Sequence, residues 1–98
     1  MIEEILNTGK DNARTGRAIC DQLNLDPREL TEIIEKERHA GAPICASCDR
    51  QNPGYYLAAN KAEMQEYCDS LRHRAGRIHK TRRACLKAIE RLPEAAAQ

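Results

Sequence analysis

The chain has 98 residues, of which 32% are charged and three, all tyrosine, are aromatic. This length suits one domain with a modest core, and the few aromatic side chains favour helices packed through Leu, Ile and Ala. No apolar run approaches the roughly 20 residues of a membrane span, which argues against a membrane protein. Residues 1–15 are polar and acidic and do not resemble a secretory signal, so we expect a cytoplasmic location.

Charge is distributed unevenly along the chain. Residues 1–41 carry six Lys or Arg and nine Asp or Glu. Residues 72–98 carry eight Lys or Arg and only two Asp or Glu. The positive excess at the C-terminal end indicates an anionic partner, either nucleic acid or an acidic protein. A basic helix face that contacts only solvent is the alternative, and the composition leaves both open.

The first predicted element is a short helix. The helical spacing of Ile2, Ile5 and Leu6 predicts it, and Gly9 ends it. Residues 10–14 are polar and are predicted to form a connection or a very short strand.

A second helix is predicted to begin at Thr15, a favourable N-cap residue, and to end near Asn24. The next helix starts at Asp26, so about two residues join the pair. A connection this short forces a steep angle between the helices, which is helix-turn-helix geometry.

The most clearly delimited helix lies within residues 25–41. Asp26 is a suitable N-cap, Pro27 fits the first helical position, and Glu29 completes a capping box. Gly41 can take the left-handed conformation that ends a helix. One face of this third helix is therefore predicted to be buried and the other to be open to a partner. The apolar positions expected in the core are Leu30, Ile33 and Ile34.

Two short β-prone runs follow, residues 43–47 and 54–59, separated by the turn-forming sequence CDRQNP. They predict a β-hairpin with a loop of about six residues. Its tip carries Arg50, Gln51 and Asn52.

A long helix is predicted from the cap residue Asn60 to Pro93, interrupted only by Gly76. Its apolar residues recur in alternating steps of three and four, the pattern of a coiled-coil seam. The first part of the seam is expected to pack on the preceding domain and the rest to bind a second copy. The inward residues predicted are Met64, Tyr67 and Leu71, and the dimerisation residues are Ile78, Cys85, Ile89 and Leu92.

Two motifs point to a known architecture. Arg38, Gly41, Pro43 and Ile44 form the pattern Arg-x-x-Gly-x-Pro-Ile, and residues 54–57 read Gly-Tyr-Tyr-Leu. With the order of elements, these motifs resemble the small winged helix-turn-helix modules of phage and prophage proteins. The expected fold is mainly α with one β-hairpin. It comprises a winged helix domain (1–59), a long C-terminal helix (60–93) that packs on it and dimerises, and a disordered tail (94–98).

This resemblance implies binding of double-stranded DNA, in replication initiation or transcription control. The third helix would enter the major groove and the hairpin loop would contact a neighbouring groove or the backbone. The implied contacts are Arg14, Thr15, Arg17, Arg28, Thr31, Lys36, His39, Arg50, Gln51 and Asn52.

The third helix also carries four glutamates, and Glu32 and Glu35 lie on the face that would approach phosphates. The alternative function is therefore a protein–protein interaction module. In that case the acidic third helix contacts a partner and the C-terminal helix forms an oligomer.

The odd number of cysteines, five, is typical of reduced thiols. Cys45 and Cys48 have CxxC spacing, which leaves zinc binding open, but no second ligand pair follows at close spacing. We favour small apolar roles and expect no metal site and no cofactor. The chain contains no phosphate loop and no nucleophile beside a base, so we expect no enzymatic activity.

Overall fold

The computed structural model describes residues 1–95. Within them the chain is mainly helical, with one antiparallel hairpin and a long C-terminal helix, which confirms the predicted fold class. Two single-turn 3-10 helices, Glu3–Ile5 and Lys10–Asn12, come first. The remaining elements are α1 (Gly16–Leu23), α2 (Pro27–His39), β1 (Ile44–Ser47), β2 (Gly54–Leu57) and α3 (Lys61–Ile89).

The N-terminal segment differs from the prediction of a short helix. A single 3-10 turn forms there, because the backbone after it bonds to β2 instead of to itself. The amide of Gly9 donates to the carbonyl of Leu57 at 2.8 Å, and the amide of Leu57 donates to the carbonyl of Asn7 at 2.9 Å. The predicted second and third helices are thus α1 and α2.

Residues 10–14, predicted as a connection or a very short strand, form a 3-10 turn at Lys10–Asn12 followed by one isolated β-bridge at Arg14. Arg14 and Tyr55 make an antiparallel bridge, with reciprocal amide–carbonyl hydrogen bonds of 2.9 and 2.8 Å. The segment before α1 therefore lies along the open edge of β2, while β1 pairs with the other edge.

Capping hydrogen bonds fix the first residues of α1 and α2 at the predicted positions. The Thr15 hydroxyl accepts from the Ala18 amide at 3.1 Å. The Asp26 carboxylate accepts from the Glu29 amide at 2.8 Å, and Glu29 accepts in return from the Asp26 amide at 3.2 Å. These bonds satisfy amides that a helix start leaves without intrahelical partners.

The main apolar core lies between α1, α2 and one face of the hairpin. Leu30 and Ile34 of α2 are buried in it, as the helical spacing predicted, and Ile33 packs at its edge. Tyr55 and Leu57 of β2 also pack against it. The other buried members are Ile2, Leu6, Ile19, Cys20 and Ile44.

The opposite face of the hairpin is covered as well. Cys45 and Tyr56 form a second apolar cluster with Tyr67 of α3, and Met64 packs at its edge. The thiol of Cys45 donates to the Met64 sulfur at 3.7 Å. Burial raises the pKa of Tyr56 to about 12, with Cys45 and Glu63 adding to the increase, so its phenol stays neutral. Because side chains alternate along β2, Tyr55 packs on one face of the hairpin and Tyr56 on the other, and both faces are covered.

The start of α3 is capped by Asn60, whose side chain accepts from the Glu63 amide at 2.9 Å. The helix ends at Ile89, before the predicted Pro93, and the amides of Glu90 and Arg91 make bonds of the 3-10 type. Residues 96–98 of the predicted tail lie outside the described residues.

The chain forms two compact units, Met1–Tyr67 and Cys68–Gln98, which divide within α3. The first unit contains both apolar clusters. In the second, every residue from Cys68 to Ala95 is exposed, including Leu71 at 39%, which the spacing predicted to face inward. In the part of the chain that the structure describes, no helix has the length and apolarity to cross a membrane.

Candidate nucleic-acid interface

The polar face of α2 is open to solvent. Thr31, Lys36 and His39 are exposed along it, and Lys36 and His39 enter none of the ion pairs formed within residues 1–95. The Thr31 hydroxyl donates to the Pro27 carbonyl at 3.0 Å, which leaves its oxygen able to accept. This face therefore presents a hydroxyl, an ammonium and an imidazole to a partner.

The other cation implied at the interface, Arg28, pairs with Glu32 one turn further along. Its Nε lies 3.4 Å from the Glu32 Oε1, and the two side chains are 89% and 68% exposed. A pair this exposed is weak because water and salt screen it. Arg28 can therefore exchange this partner for a phosphate at little cost.

Of the four glutamates of α2, Glu37 is half-buried and bonds within the chain. The Glu37 carboxylate accepts from the amides of Ile2 and Glu3, both at 2.9 Å. Burial opposes its ionisation, but the bonds from Glu3 and Ile2 and the nearby amino group of Met1 outweigh it and hold the pKa of Glu37 below its ordinary value. Glu37 is thus a structural anion that fastens the N-terminal segment to α2.

Arg14, implied as a phosphate contact, is committed to its own unit. Its guanidinium donates to the Ile5 carbonyl at 3.3 Å and to the Gln22 side chain at 2.6 Å. Thr15 caps α1, so its oxygen is also engaged. Of the three residues predicted at the start of α1, Arg17 is the exposed cation without such a structural contact.

The hairpin loop, residues 48–53, is ordered by its own side chains. The Asp49 carboxylate accepts from the Gln51 amide at 3.1 Å, and the Ser47 hydroxyl accepts from the Asp49 amide at 3.1 Å. Arg50 and Gln51 are exposed at the tip. Asn52 is half-buried, and its side-chain amide lies 3.2 Å from the carbonyls of Asp11 and Gln51. Asn52 therefore supports the loop, whereas Arg50 and Gln51 can reach a ligand.

The two units have opposite charge. Residues 1–67 carry eight Lys or Arg and twelve Asp or Glu. Residues 68–98 carry eight Lys or Arg and three Asp or Glu. The net charge of the first unit therefore repels a phosphate backbone, whereas that of the second unit attracts it.

The predicted dimerisation residues are exposed in the second unit. Ile78 and Ile89 are 62% and 61% exposed, and Cys85 is exposed beside them. Leu92, at 67%, follows the end of α3 instead of continuing its seam. Leu86, which the heptad spacing did not include, is 44% exposed on the same helix.

The CxxC cysteines differ in environment. Cys45 is buried against Met64, whereas Cys48 is exposed at the start of the hairpin loop. Residues 1–95 contain no group of three or more His, Cys, Asp or Glu side chains arranged to hold a metal ion.

The exposed members of the predicted DNA-contact set lie on three elements of the first unit: the start of α1, the polar face of α2 and the hairpin loop. They are Thr15, whose hydroxyl caps α1, and Arg17, Arg28, Thr31, Lys36, His39, Arg50 and Gln51. Comparison with known proteins found no matching family model, curated protein or solved structure.

Proposed function

We propose that this protein binds double-stranded DNA as a winged helix protein of the phage or prophage type, in replication initiation or transcription control. The observation that supports this best is α2. This helix is capped, and it is buried on one face and exposed to solvent on the other. α1 precedes it closely, and a hairpin with an exposed arginine at its tip follows it. In a winged helix protein this helix enters the major groove.

The residues on the polar face of α2 suit base recognition better than phosphate binding. Lys36 can donate to guanine, and the Thr31 hydroxyl can pair with several bases. Glu32 and Glu35 are repelled by phosphates but can accept from the exocyclic amine of cytosine. We therefore propose that α2 discriminates between sequences and that Arg17 and Arg50 contact the backbone beside it.

Fluorescence anisotropy of labelled duplex DNA at about 50 and 200 mM salt tests this proposal. The wild-type protein is expected to bind at low salt and to weaken as salt rises. The double variant Lys36→Glu with Arg50→Glu is expected to lose at least roughly tenfold in affinity, because two contacts become repulsive. Lys10→Glu with Lys61→Glu changes the net charge equally at two residues outside the proposed contact set, and is expected to lose less. A wild-type protein that does not bind at low salt rules the proposal out.

The second candidate is a protein–protein interaction module. The excess of acidic residues in residues 1–67 and the exposed Glu32 and Glu35 favour a basic protein partner for α2. The same anisotropy measurement separates the two functions. Equal affinities of the wild-type protein and the Lys36→Glu/Arg50→Glu variant would exclude α2 and the hairpin loop as a DNA surface and favour this candidate.

We also propose that the protein forms a homodimer through α3. Isolated helices gain little stability in water from propensity alone, and helices in proteins are stabilised chiefly by packing of an apolar face. Beyond Tyr67, however, α3 buries none of its residues, although Leu71, Ile78 and Ile89 are large and apolar. A second copy of the helix provides an apolar face of the same kind.

A further inference from the structure

Residues 70–89 of α3 form an unusually cationic helix. They contain seven Lys or Arg, two His and no Asp or Glu, and all of them are exposed. The cations from Arg74 to Lys87 enter none of the ion pairs formed within residues 1–95. Positive charges this close together repel one another, and a polyanion relieves that repulsion.

The helical conformation places four of the seven cations on the side opposite a stripe of apolar residues. At about 100° per residue, Arg72, Lys80 and Arg83 fall, with Lys87, within an arc of roughly 80°. We call these four residues the basic face. The apolar residues at positions 71, 78, 85 and 89 fall within roughly 40° on the far side. A polyanion on the basic face therefore leaves the apolar side available to a second copy.

Gly76 lies in the middle of the basic face, between Arg72 and Lys80. A glycine in a helix interior is less stable than alanine, so a reason for it is expected. Packing within residues 1–95 does not supply that reason, because a Cβ at position 76 would meet no atom within 4 Å. A residue without a side chain lets a bound chain approach the helix backbone closely.

The chemistry of the second unit selects duplex DNA as the polyanion. No Phe, Tyr or Trp follows Tyr67, so residues 68–98 lack the large aromatic side chains on which proteins commonly stack single-stranded bases. Lys and Arg side chains at successive turns instead match phosphates, which need charge and no base stacking.

We infer that the basic face of α3 binds the phosphate backbone of double-stranded DNA. It supplies the salt-dependent, sequence-independent part of the affinity, while the acidic first unit supplies discrimination. This inference rests on the proposed DNA-binding function and assigns its main electrostatic contribution to a different surface.

Two matched variants of the full chain test the inference. Arg72→Gln with Arg83→Gln removes two cations of the basic face, and Arg74→Gln with Arg82→Gln removes two from other sides of the same helix. The basic-face pair is expected to lower affinity for a 30-base-pair duplex by roughly tenfold or more. It is also expected to reduce the slope of log affinity against log salt by about two. Equal losses in both variants would overturn the inference, because net charge alone would then explain them.

The outcomes separate this inference from the proposed function. Loss of binding in the basic-face variant but not in Lys36→Glu/Arg50→Glu supports the basic face and removes α2 as the reading helix. The reverse result overturns the basic face and keeps the proposed function. Polyglutamate that competes as well as duplex DNA would indicate an acidic protein partner and overturn the inference. Single-stranded DNA bound as tightly as duplex would overturn it too.

Discussion

The guanidinium of Arg38 lies over the ring of Tyr67, with its Cζ 5.2 Å from the ring centroid. The Arg38 Nε also donates to the carbonyl of Ile44 at 2.9 Å. One side chain thus connects the end of α2 to the start of β1 and to the first turns of α3. The arginine of the Arg-x-x-Gly-x-Pro-Ile motif is therefore a structural residue that fixes the hairpin beside α2.

Replacing Arg38 should destabilise the first unit. Arg38→Met removes the cation–π contact and leaves the Ile44 carbonyl without its donor, for an expected loss of about 1–3 kcal/mol. Urea unfolding followed by circular dichroism measures it. Arg28→Met on the exposed face of the same helix is the control and should change stability little. Equal effects of the two substitutions would contradict the structural role of Arg38.

Glu37 should make stability depend on pH in the acid range. Its pKa is lower in the folded protein than its ordinary value, so its ionised form stabilises folding above that value. The contribution is lost as pH falls through the lowered pKa. Glu37→Gln should be less stable than wild type at pH 7 by about 1–2 kcal/mol, and the two should converge at low pH.

Thermal unfolding at neutral pH and at several acid pH values checks this prediction. Glu35→Gln, which neutralises an exposed carboxylate of the same helix, is the control and should retain the wild-type profile. A Glu37→Gln variant that follows the wild-type curve at every pH would show that the bonds to Ile2 and Glu3 add nothing.

Gly54 and Gly41 allow backbone strain to be separated from close packing. Both have positive φ, 116° and 105°. A Cβ at Gly54 would overlap the carbonyl of Arg14, whereas one at Gly41 would have nothing within 4 Å. Gly41→Ala should therefore cost about 1 kcal/mol through strain alone, and Gly54→Ala should cost several times more because the Arg14–Tyr55 bridge must open. Similar melting temperatures for the two variants would contradict this.

Gly76→Ala should stabilise α3. The position is exposed and a Cβ meets no atom, so alanine should gain about 1 kcal/mol in helix propensity. Circular dichroism at 222 nm during thermal unfolding should show a later loss of helix. Ala84→Gly, at another exposed position of the same helix, should shift the transition in the opposite direction by a similar amount. Lower helicity in Gly76→Ala would show that the glycine has a structural role in the folded chain.

The apolar side of α3 should control self-association. Ile78→Gln with Ile89→Gln should shift the sedimentation coefficient toward that of a monomer, because both side chains are more than 60% exposed in the single chain. His73→Gln with Ala84→Gln, on another side of the helix, should leave the association unchanged. A wild-type protein that sediments as a monomer at every concentration would rule out the homodimer.

Local patterns in the sequence were sufficient for α1, α2, the hairpin and the start of α3. Thr15, the Asp26–Glu29 box and Asn60 act on amides within three residues, so their effect can be predicted without knowing the fold. The unequal charge of the two ends is likewise a property of the sequence alone.

The tertiary structure alone decided what the charged residues do. Glu37 bonds to amides 34 and 35 residues away, Arg38 packs on Tyr67, and Arg14 binds the carbonyl of Ile5. The predicted first helix is a single 3-10 turn for the same reason, since Asn7 and Gly9 bond to β2. Helical spacing and capping patterns describe neighbours along the chain. Bonds between distant segments depend on how those segments pack, so only the folded chain separates structural charges from those open to a partner.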